Sequence, residues 1–195
     1  MMRIITGRAR GTHLYTLEGM STRPTTERAK EAIFSALQFE LQGRLVLDLF
    51  AGSGQLGLEA VSRGSTRAVL VDVSQEATGI IRKNVAKTHF ETDTQVVCMA
   101  WDAFLREEKS GIPEAFSLVF LDPPYASHLV APALEMLCCN DWLLPGAIVV
   151  CESGEEDPLQ GHPDVAGRFS LRKTGKYGAV HMTILELRDG STEGR

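Results

Sequence analysis

Cysteine is scarce in this sequence, and no cysteine stands in a pattern that would bind a metal or form a redox pair. Four cysteines occur among 195 residues, none of them in a CxxC pair, and the five histidines lie far apart. Zinc sites and thiol redox motifs require such close spacings. We therefore expect no metal site, and four buried free thiols in a reducing compartment.

Long apolar runs are missing as well. No stretch approaches the roughly 18 consecutive apolar residues of a membrane span, and residues 1–7 lack the apolar centre of a signal peptide. The composition, 44% hydrophobic and 23% charged, is that of a globular chain long enough for one sizeable core. These features predict a cytoplasmic protein that does not enter a membrane.

A strong excess of positive charge is also absent, since the formal net charge is -5. Spread evenly, such a balance argues against a nucleic-acid partner. Residues 1–44, however, hold seven Lys/Arg against four Asp/Glu, residues 168–195 hold six against three, and residues 45–167 hold seven against eighteen. Both ends are net positive, which leaves open either a variable surface or a nucleic-acid contact formed by the ends.

The segment from Val46 to Gly54 is the most informative stretch of the chain. Residues 45–50 are apolar apart from Asp48, a pattern typical of a central parallel strand that is covered on both faces. Gly52 and Gly54 follow, and glycine allows both a positive φ and a close approach to a ligand. The stretch therefore predicts a strand, a tight turn and a helix start that together hold a ligand.

Strand and helix patterns alternate along the rest of the chain. Residues 2–20 are glycine-rich and basic, and we expect them to form a hairpin outside the core. Helices are predicted at 26–40, 56–63, 74–89 and 127–138, with a short one opening at 101–104, parallel strands at 45–50, 68–72, 95–99, 116–121 and 147–152, a loop at 154–164, and antiparallel strands at 169–174 and 180–187.

This order predicts an α/β fold with a doubly wound, mostly parallel seven-stranded sheet of Rossmann-like type. A C-terminal antiparallel hairpin closes the sheet, and a small hairpin-plus-helix appendage precedes it. We place the appendage at residues 1–43 and the main domain at residues 44–188.

Four acids lie at or just beyond the predicted ends of parallel strands. They are Asp48, Asp72, Asp102 and Asp122. Ligands of doubly wound sheets bind beyond the carboxyl ends of the strands, where the strand order reverses. Solvated surface charge would not readily produce this placement, so we interpret the four acids as parts of one binding site.

The glycine turn alone leaves the ligand undecided. Residues 52–57 match GxGxxG, and Asp72 lies eighteen residues beyond Gly54, so a dinucleotide-binding unit is a real alternative. Asp48 argues against it, because a carboxylate fixed beside the turn opposes a pyrophosphate and favours a cation. S-adenosylmethionine carries a sulfonium and an amino group and no phosphate. In this interpretation Asp48 receives the amino-acid end, Asp72 the ribose hydroxyls and Asp102 the adenine side.

The stretch Asp122-Pro123-Pro124-Tyr125 adds the chemistry that a methyl donor requires. An exocyclic amine of a nucleobase is a poor nucleophile because its lone pair is delocalised into the ring. Hydrogen bonds from the amine to Asp122 and to the carbonyl of Pro123 would draw the nitrogen toward a tetrahedral geometry. Tyr125 could stack on the base, which must be unpaired or turned out of its stack. The alternative is a plain strand-end turn, since Asp and Pro are common turn residues.

The chain resembles the amino-methylating group of class I methyltransferases, and over nearly its whole length the bacterial 16S rRNA guanine-N2 methyltransferases of the small subunit. The resemblance is carried by residues 3–7 with 10–11, residues 23–37, residues 48–54 with Gly57 and Glu59-Ala60, DPPY at 122–125 and Tyr177-Gly178, in that order. DPPY is shared with enzymes that methylate adenine N6 or cytosine N4 in DNA. Gln55 and Asp72 depart from the family pattern, where a small residue and a longer Glu are frequent.

The resemblance implies methyl transfer from S-adenosylmethionine to N2 of one guanine in 16S rRNA of the small ribosomal subunit, by a monomeric class I methyltransferase domain. A DNA amino-methyltransferase and a non-catalytic RNA-binding assembly factor remain alternatives. The assigned residues are, for catalysis, Asp122, Pro123 and Tyr125; for the cofactor, Asp48, Phe50, Gly52, Gly54, Asp72 and Asp102; and for RNA, Arg3, Arg8, Arg10, Arg23 and Arg28.

Overall fold

A computed structural model describes residues 2–17, 24–107, 115–124 and 128–188. The helices are α1 (Pro24–Ala36), α2 (Gln55–Ser62), α3 (Gln75–Thr88), α4 (Trp101–Arg106), α5 (Val130–Cys139) and α6 (Pro163–Ala166). The strands are β1 (Leu45–Asp48), β2 (Arg67–Asp72), β3 (Thr94–Cys98), β4 (Phe116–Leu121), β5 (Leu143–Ser153), β6 (Phe169–Tyr177) and β7 (Val180–Leu187).

The seven strands form one sheet in the order β3-β2-β1-β4-β5-β7-β6. Strands β1 to β5 pair in parallel, whereas β7 runs antiparallel to both β5 and β6. The predicted fold class is confirmed. The strand order reverses between β1 and β4, so a ligand is expected beyond the carboxyl ends of these two strands. We call this side of the sheet the carboxyl edge.

Helices cover both faces of the sheet, and each face has its own hydrophobic core. On one face α1, α2 and α3 pack over side chains that include Val46, Leu70, Phe120 and Val150. On the other face α4, α5 and α6 cover Leu47, Val69, Val119 and Val149, together with the fully buried Trp142. Burial on both faces explains why the parallel strands have continuous apolar sequences rather than alternating ones.

The N-terminal segment is part of the first core, which corrects the expectation that it would lie outside. A single antiparallel bridge joins Arg3 to His13, and Ile4, Ala9 and Leu14 are buried in the same cluster as Val46. The apolar periodicity of this segment is too short to show on which surface it packs. The division at residue 43 stays a prediction, and in the described residues the first core contains side chains from both sides of it.

Glu59 fastens this segment to α2. Its side chain is fully buried and accepts hydrogen bonds from the backbone N–H groups of Ile5 and Thr6, at 2.8 and 3.0 Å. It also pairs with Lys30 at 3.1 Å and with Arg63 at 2.7 Å. Burial lowers the pKa of Lys30, and the attraction of the Glu59 carboxylate opposes part of this decrease. A buried carboxylate with four partners ties three parts of the chain together.

Several boundaries differ from the sequence-based prediction, among them one helix end and two strand ends. The first helix ends at Ala36 rather than near 40. The prediction ran too far because buried Leu37 and Leu41 continue the helical spacing, although Leu37 lies in a turn and Leu41 lies outside any helix. Strand β5 begins at 143, and β6 continues to 177 through Gly175. A Cβ on Gly175 would lie 2.9 Å from the Tyr177 ring. This glycine therefore admits an aromatic ring over the strand and does not end it.

The four cysteines differ in their exposure. The cysteines were expected to be buried, yet Cys98 and Cys139 are exposed and only Cys151 is fully buried. Both exposed thiols lie at element ends, where an apolar neighbourhood in sequence does not ensure burial. Within the described ranges, no helix has the length and apolar character needed to cross a membrane.

Candidate functional site

Three carboxylates project from one face of the sheet at the carboxyl edge. Asp48 pairs in register with Phe120, and Phe120 pairs with Val150. Asp122 lies two residues beyond Phe120, and Glu152 lies two residues beyond Val150. Because side chains alternate between the two faces along a strand, both acids lie on the same face as Asp48. The three strands that carry them are adjacent. We call Asp48, Asp122 and Glu152 the carboxylate cluster.

Asp48 is 1% exposed, although it carries an ionisable group. Its Oδ2 atom accepts a hydrogen bond from the backbone N–H of Gly57 at 3.0 Å, whereas Oδ1 is buried without a partner in the described part of the chain. Burial raises the pKa of Asp48 to about 7, and the charges of Asp122 and Asp72 act in the same direction. An unpaired buried carboxylate oxygen is costly unless a ligand supplies a donor or a positive charge.

The turn after β1 has the geometry expected from its glycines. Gly52 and Gly54 adopt positive φ angles of 55° and 79°. Gly57, the third glycine of the motif, lies where an added Cβ would approach a methyl carbon of Leu70 to 2.2 Å. It therefore permits close packing of α2 on the sheet. The N-terminus of α2 presents its first backbone N–H groups toward the same edge.

Asp72 supports the turn and is half-buried. Its Oδ2 atom accepts the N–H of Gly52 at 2.8 Å, and its Oδ1 atom accepts that of Ser74 at 2.8 Å. Each carboxylate oxygen has a second lone pair, so Asp72 could still accept hydrogen bonds from a ligand. Val73, which the sequence reasoning missed, follows it and is 71% exposed. Such an exposed branched side chain at the carboxyl edge could pack against a flat ring.

An aromatic pair lies on the β1–β2 side of the edge. Phe50 and Trp101 are half-buried, with ring centroids 6.2 Å apart. Phe104 is instead buried in the core, stacked on Trp142 at 5.2 Å. Asp102 pairs with Arg106 on its own helix at 2.7 Å. Asp102 follows β3 in the chain, and the pair with Arg106 already compensates part of its charge.

The segment after β4 lies on the opposite side of the switch point. Asp122 is half-buried, Pro123 is buried and Pro124 is exposed. Burial raises the pKa of the Asp122 carboxyl to about 6. Tyr125 lies outside the described residues. The structure thus places Asp122 near enough to Asp48 for its charge to raise the pKa of Asp48, and Pro123 follows Asp122 in the chain.

Glu152 was not predicted as a site residue, although it completes the carboxylate cluster. It is 4% exposed, and its Oε2 atom is buried without a partner in the described ranges. Burial raises the pKa of Glu152 well above its usual value, and the charges of Asp122 and Asp48 add to the effect. The only sequence signal was a carboxylate at the end of an apolar run, which the loop of acids after residue 154 obscured.

Asn84 is a second missed residue, because a polar residue in the middle of a helix gives no sign of its partners. It is fully buried in α3. Its side chain accepts the N–H of Tyr15 at 2.7 Å and donates to the carbonyls of Tyr15 and Ser53, at 3.0 and 2.9 Å. It therefore joins the N-terminal segment to the glycine turn.

We expect Asn84→Ala to lower the free energy of unfolding by about 2 kcal/mol, since it removes three hydrogen bonds to backbone groups, of which the one to the Ser53 carbonyl is buried and the two to Tyr15 are partly buried. Asn140→Ala is a matched control: Asn140 is exposed and its side chain donates to the carbonyl of Leu105 at 2.8 Å. Asn140→Ala should lower the free energy of unfolding by well under half as much as Asn84→Ala. Urea denaturation of both variants measures the difference, and equal midpoints would contradict the role given to Asn84.

The arginines assigned to RNA differ in position. Arg3, Arg10 and Arg28 are exposed. Arg8 pairs with Asp93 at 2.7 Å and lies over the ring of Phe90. Because Asp93 immediately precedes β3, Arg8 lies at the opposite edge of the sheet from the carboxylate cluster. Arg23 lies outside the described residues.

The C-terminal hairpin brings further groups to the carboxyl edge. Ser153 pairs with His181, and Val180 pairs with Tyr177, so the β6–β7 turn lies beside the end of β5. Lys176 is exposed at this turn, and Tyr177 is half-buried against the first core. Both lie nearer to the carboxylate cluster than Arg8 does.

This arrangement suits a cationic ligand. Three mutually repelling carboxylates, two of them with an unpartnered buried oxygen, favour a positive charge or hydrogen-bond donors beside them. A pyrophosphate would add to the repulsion. In the described part of the chain, no group of three or more His, Cys, Asp or Glu residues is arranged to hold a metal ion.

Comparison with protein families matches residues 2–186 to the family described as conserved hypothetical protein 95. The ribosomal RNA small subunit methyltransferase D of Escherichia coli strain K12 is 35% identical over 179 residues, covering 92% of this chain and 86% of that protein. The protein of the same name from Haemophilus influenzae strain Rd is 33% identical over 159 residues, covering 81% of each.

Solved structures agree with these matches. An Escherichia coli protein with a provisional methyltransferase assignment superposes with a TM-score of 0.81 at 30% identity, over 96% of this chain and 98% of that chain. A hypothetical protein of Thermus thermophilus gives a TM-score of 0.76 at 30% identity, over 96% of this chain and 100% of that chain. This chain therefore belongs to the conserved hypothetical protein 95 family, and proteins named ribosomal RNA small subunit methyltransferase D are its relatives.

Proposed function

We propose that this protein is an S-adenosylmethionine-dependent methyltransferase that modifies the exocyclic N2 of one guanine in 16S rRNA of the small ribosomal subunit. The observation that carries the proposal is the buried, unpartnered oxygen of Asp48 beside Asp122 at the switch point of the sheet. The names of the relatives support RNA of the small subunit as the substrate class. A cytoplasmic monomer is the simplest form of such an enzyme.

Three features of the geometry support the proposed cofactor-binding roles. Asp48 would face the positively charged amino-acid end, and the turn at Gly52 and Gly54 would let the cofactor approach the backbone closely. Asp72 would accept hydrogen bonds from ribose hydroxyls through its remaining lone pairs.

The adenine would lie between the exposed side chain of Val73 and the pair formed by Phe50 and Trp101. Asp102 would contribute at the adenine side, where its pairing with Arg106 limits it to an outer position. When bound, S-adenosylmethionine supplies an electrophilic methyl group on a sulfonium.

The base would be held by the segment that begins at Asp122. The carboxylate of Asp122 and the carbonyl of Pro123 would accept hydrogen bonds from the target amine and hold its lone pair toward the methyl group. The amine nitrogen would form the new N–C bond as the C–S bond breaks and would then lose one proton, which Asp122 would accept. Tyr125 would stack on the base, which must leave its helix to reach the site.

The RNA would be bound mainly by basic side chains outside the carboxylate cluster. Arg3, Arg10, Arg23 and Arg28 from the N-terminal part are the assigned phosphate contacts, and Lys176 lies at the carboxyl edge. Arg8 is the weakest member of the assigned set, since its charge is paired with Asp93 at the other edge of the sheet. The net negative charge of the chain makes an assembled or assembling particle a better substrate than bare RNA.

Mass mapping of modified nucleotides tests the proposal. The protein is incubated with labelled S-adenosylmethionine and with bare 16S rRNA, small subunits, or duplex DNA. The small subunits come from cells that lack the gene for this protein, so that the target is unmethylated. We expect one N2-methylguanosine in small-subunit RNA. Label in duplex DNA alone would identify a DNA amino-methyltransferase, and cofactor binding in calorimetry without label in any substrate would identify a non-catalytic assembly factor.

A further inference from the structure

Glu152 is a buried carboxylate to which the proposed reaction assigns no role. It is the penultimate residue of β5. Leu121 and Cys151 are paired in register, so the residues that follow them, Asp122 and Glu152, are also neighbours. On its other side Glu152 pairs with Met182, which belongs to the first core. Neighbouring strands are about 4.8 Å apart. Glu152 therefore lies one strand beyond the acid that would hold the target amine.

The side chain of Glu152 is built into the site rather than exposed to solvent. It is 4% exposed, and its Oε2 atom has no hydrogen-bond partner within the described ranges. A carboxylate oxygen buried in this way destabilises the folded chain unless something donates to it. Asp48, on the far side of Asp122, faces the cofactor side of the cluster. Glu152 consequently lies on the base side.

Guanine has the edge that fits two neighbouring carboxylates. Its Watson–Crick edge presents the N1–H and N2–H groups side by side as donors, whereas adenine and cytosine place an unprotonated ring nitrogen beside their exocyclic amine. Asp122 is assigned to the N2 amine, so an acceptor one strand away can reach the neighbouring N1–H. When Glu152 is ionised and can only accept, a ring nitrogen at the same place would set a lone pair against the Glu152 oxygens.

We propose that Glu152 selects guanine by accepting a hydrogen bond from N1–H while Asp122 holds the N2 amine. This inference rests on the proposed function and extends it from the reacting amine to the identity of the base. In this role Glu152 is a specificity residue that touches the substrate base. It also explains why the chain retains a carboxylate where an apolar residue would pack more stably beside Met182.

2-Aminopurine separates the two hydrogen bonds. It keeps the N2 amine but has no proton on N1. Small subunits are reconstituted with 16S rRNA in which the mapped guanine is either retained or replaced by 2-aminopurine, and kcat/KM is measured for both. We expect the wild-type protein to prefer guanine by about 10- to 100-fold, the range of a hydrogen bond to a charged group.

Glu152→Gln should reduce that preference at least tenfold, because the amide can donate to the bare N1 of 2-aminopurine. Intrinsic differences in amine reactivity cancel when the guanine-to-2-aminopurine ratios of the two proteins are compared. Glu156→Gln is the control, since Glu156 is an exposed acid four residues along the chain, and its ratio should equal that of the wild type. Cofactor binding by calorimetry checks that the variant is folded.

The outcomes separate the two proposals. Wild-type protein that methylates guanine and 2-aminopurine equally, or a Glu152→Gln protein that keeps the wild-type ratio, overturns the role of Glu152 while methyl transfer to guanine stands. The first of these results needs no variant, so a folding defect cannot obscure it. Absence of N2-methylguanosine with unmodified subunits instead overturns the proposed function itself.

Discussion

Asp122→Ala is expected to lower the rate of methyl transfer to small-subunit RNA by about a thousandfold, the size of effect seen when a positioned acceptor or a charge-stabilising group is removed. The carboxylate lies just beyond the end of β4, beside Asp48. The other two acids of the carboxylate cluster are on neighbouring strands, so neither can replace Asp122 as the acceptor next to Pro123. Without it, the target amine keeps a lone pair delocalised into the base and lacks its nearest proton acceptor.

The same variant should bind S-adenosylmethionine at least as tightly as the wild type does, which distinguishes a chemical defect from a folding defect. Removing one of three like-charged groups also lets Asp48 ionise more easily, since the charge of Asp122 contributes to the raised pKa of Asp48. Single-turnover kinetics measures the transfer rate, and calorimetry measures the affinity.

Asp102→Ala is the matched control for Asp122→Ala, because Asp102 is an acid at the same edge that pairs with Arg106 on its own helix. It should alter cofactor affinity by only a few fold and leave the transfer step within about threefold of the wild-type rate. A transfer rate that survives Asp122→Ala, or one that falls equally in both variants, would contradict the assignment of Asp122.

The sheet and its switch point could be predicted because buried parallel strands leave a direct trace in sequence. The runs that became β1, β2 and β4 are apolar, and each ends at or next to an acid that the structure places at the carboxyl edge. The positive φ angles of Gly52 and Gly54 were likewise expected from the glycines alone. These features depend on neighbours in sequence, so local pattern was sufficient.

Contacts between distant segments could not be predicted in the same way. Asn84 joins Tyr15 to Ser53 across separations of 69 and 31 residues. Glu59 accepts from Ile5 and pairs with Lys30, which lie far from it in the chain. A single sequence shows the residues but not the pairing. For this reason the N-terminal segment was placed outside a core to which Ile4 and Leu14 belong.

Glu152 illustrates a different reason for failure. Its neighbour in space, Asp122, was identified, but the strand that carries Glu152 was expected to end at this residue and to continue into an acidic surface loop. In a sequence, one acid among several is readily interpreted as a solvent-exposed surface residue. The register of β4 against β5 is the information that separates the buried acid from the exposed ones.

The carboxylate cluster makes the unliganded protein less stable than its core would allow. Burial raises the pKa values of all three groups, to about 7 for Asp48 and about 6 for Asp122, and repulsion between the carboxylates adds to the shifts of Asp48 and Glu152. A group that holds its proton more tightly when folded than when unfolded reduces stability as the pH rises between its two pKa values. The same three side chains thus form the binding site and reduce the stability of the unliganded protein.

Asp48→Asn is therefore expected to have opposite effects on stability and on cofactor binding. In the wild type, stability without cofactor should fall as the pH rises from about 4 to about 7, because folded Asp48 keeps its proton while unfolded Asp48 has lost it. A shift of about three pKa units corresponds to at most about 4 kcal/mol. The variant should lack this part of the decline and melt at a higher temperature at pH 8, with little difference near pH 4.

Cofactor affinity should change in the other direction. Wild-type binding of S-adenosylmethionine should tighten between pH 6 and pH 8 as Asp48 ionises, whereas Asp48→Asn should bind at least about a hundredfold more weakly at pH 8, with a flatter pH profile. The exposed acid Glu156, changed to Gln, is the control and should alter neither quantity. Thermal denaturation without cofactor and calorimetry with it, each from pH 4 to pH 8, measure both effects. A variant that binds as tightly as the wild type at pH 8 would show that Asp48 does not face the positive charge of the cofactor, and the electrostatic choice of S-adenosylmethionine over a pyrophosphate ligand would lose its basis.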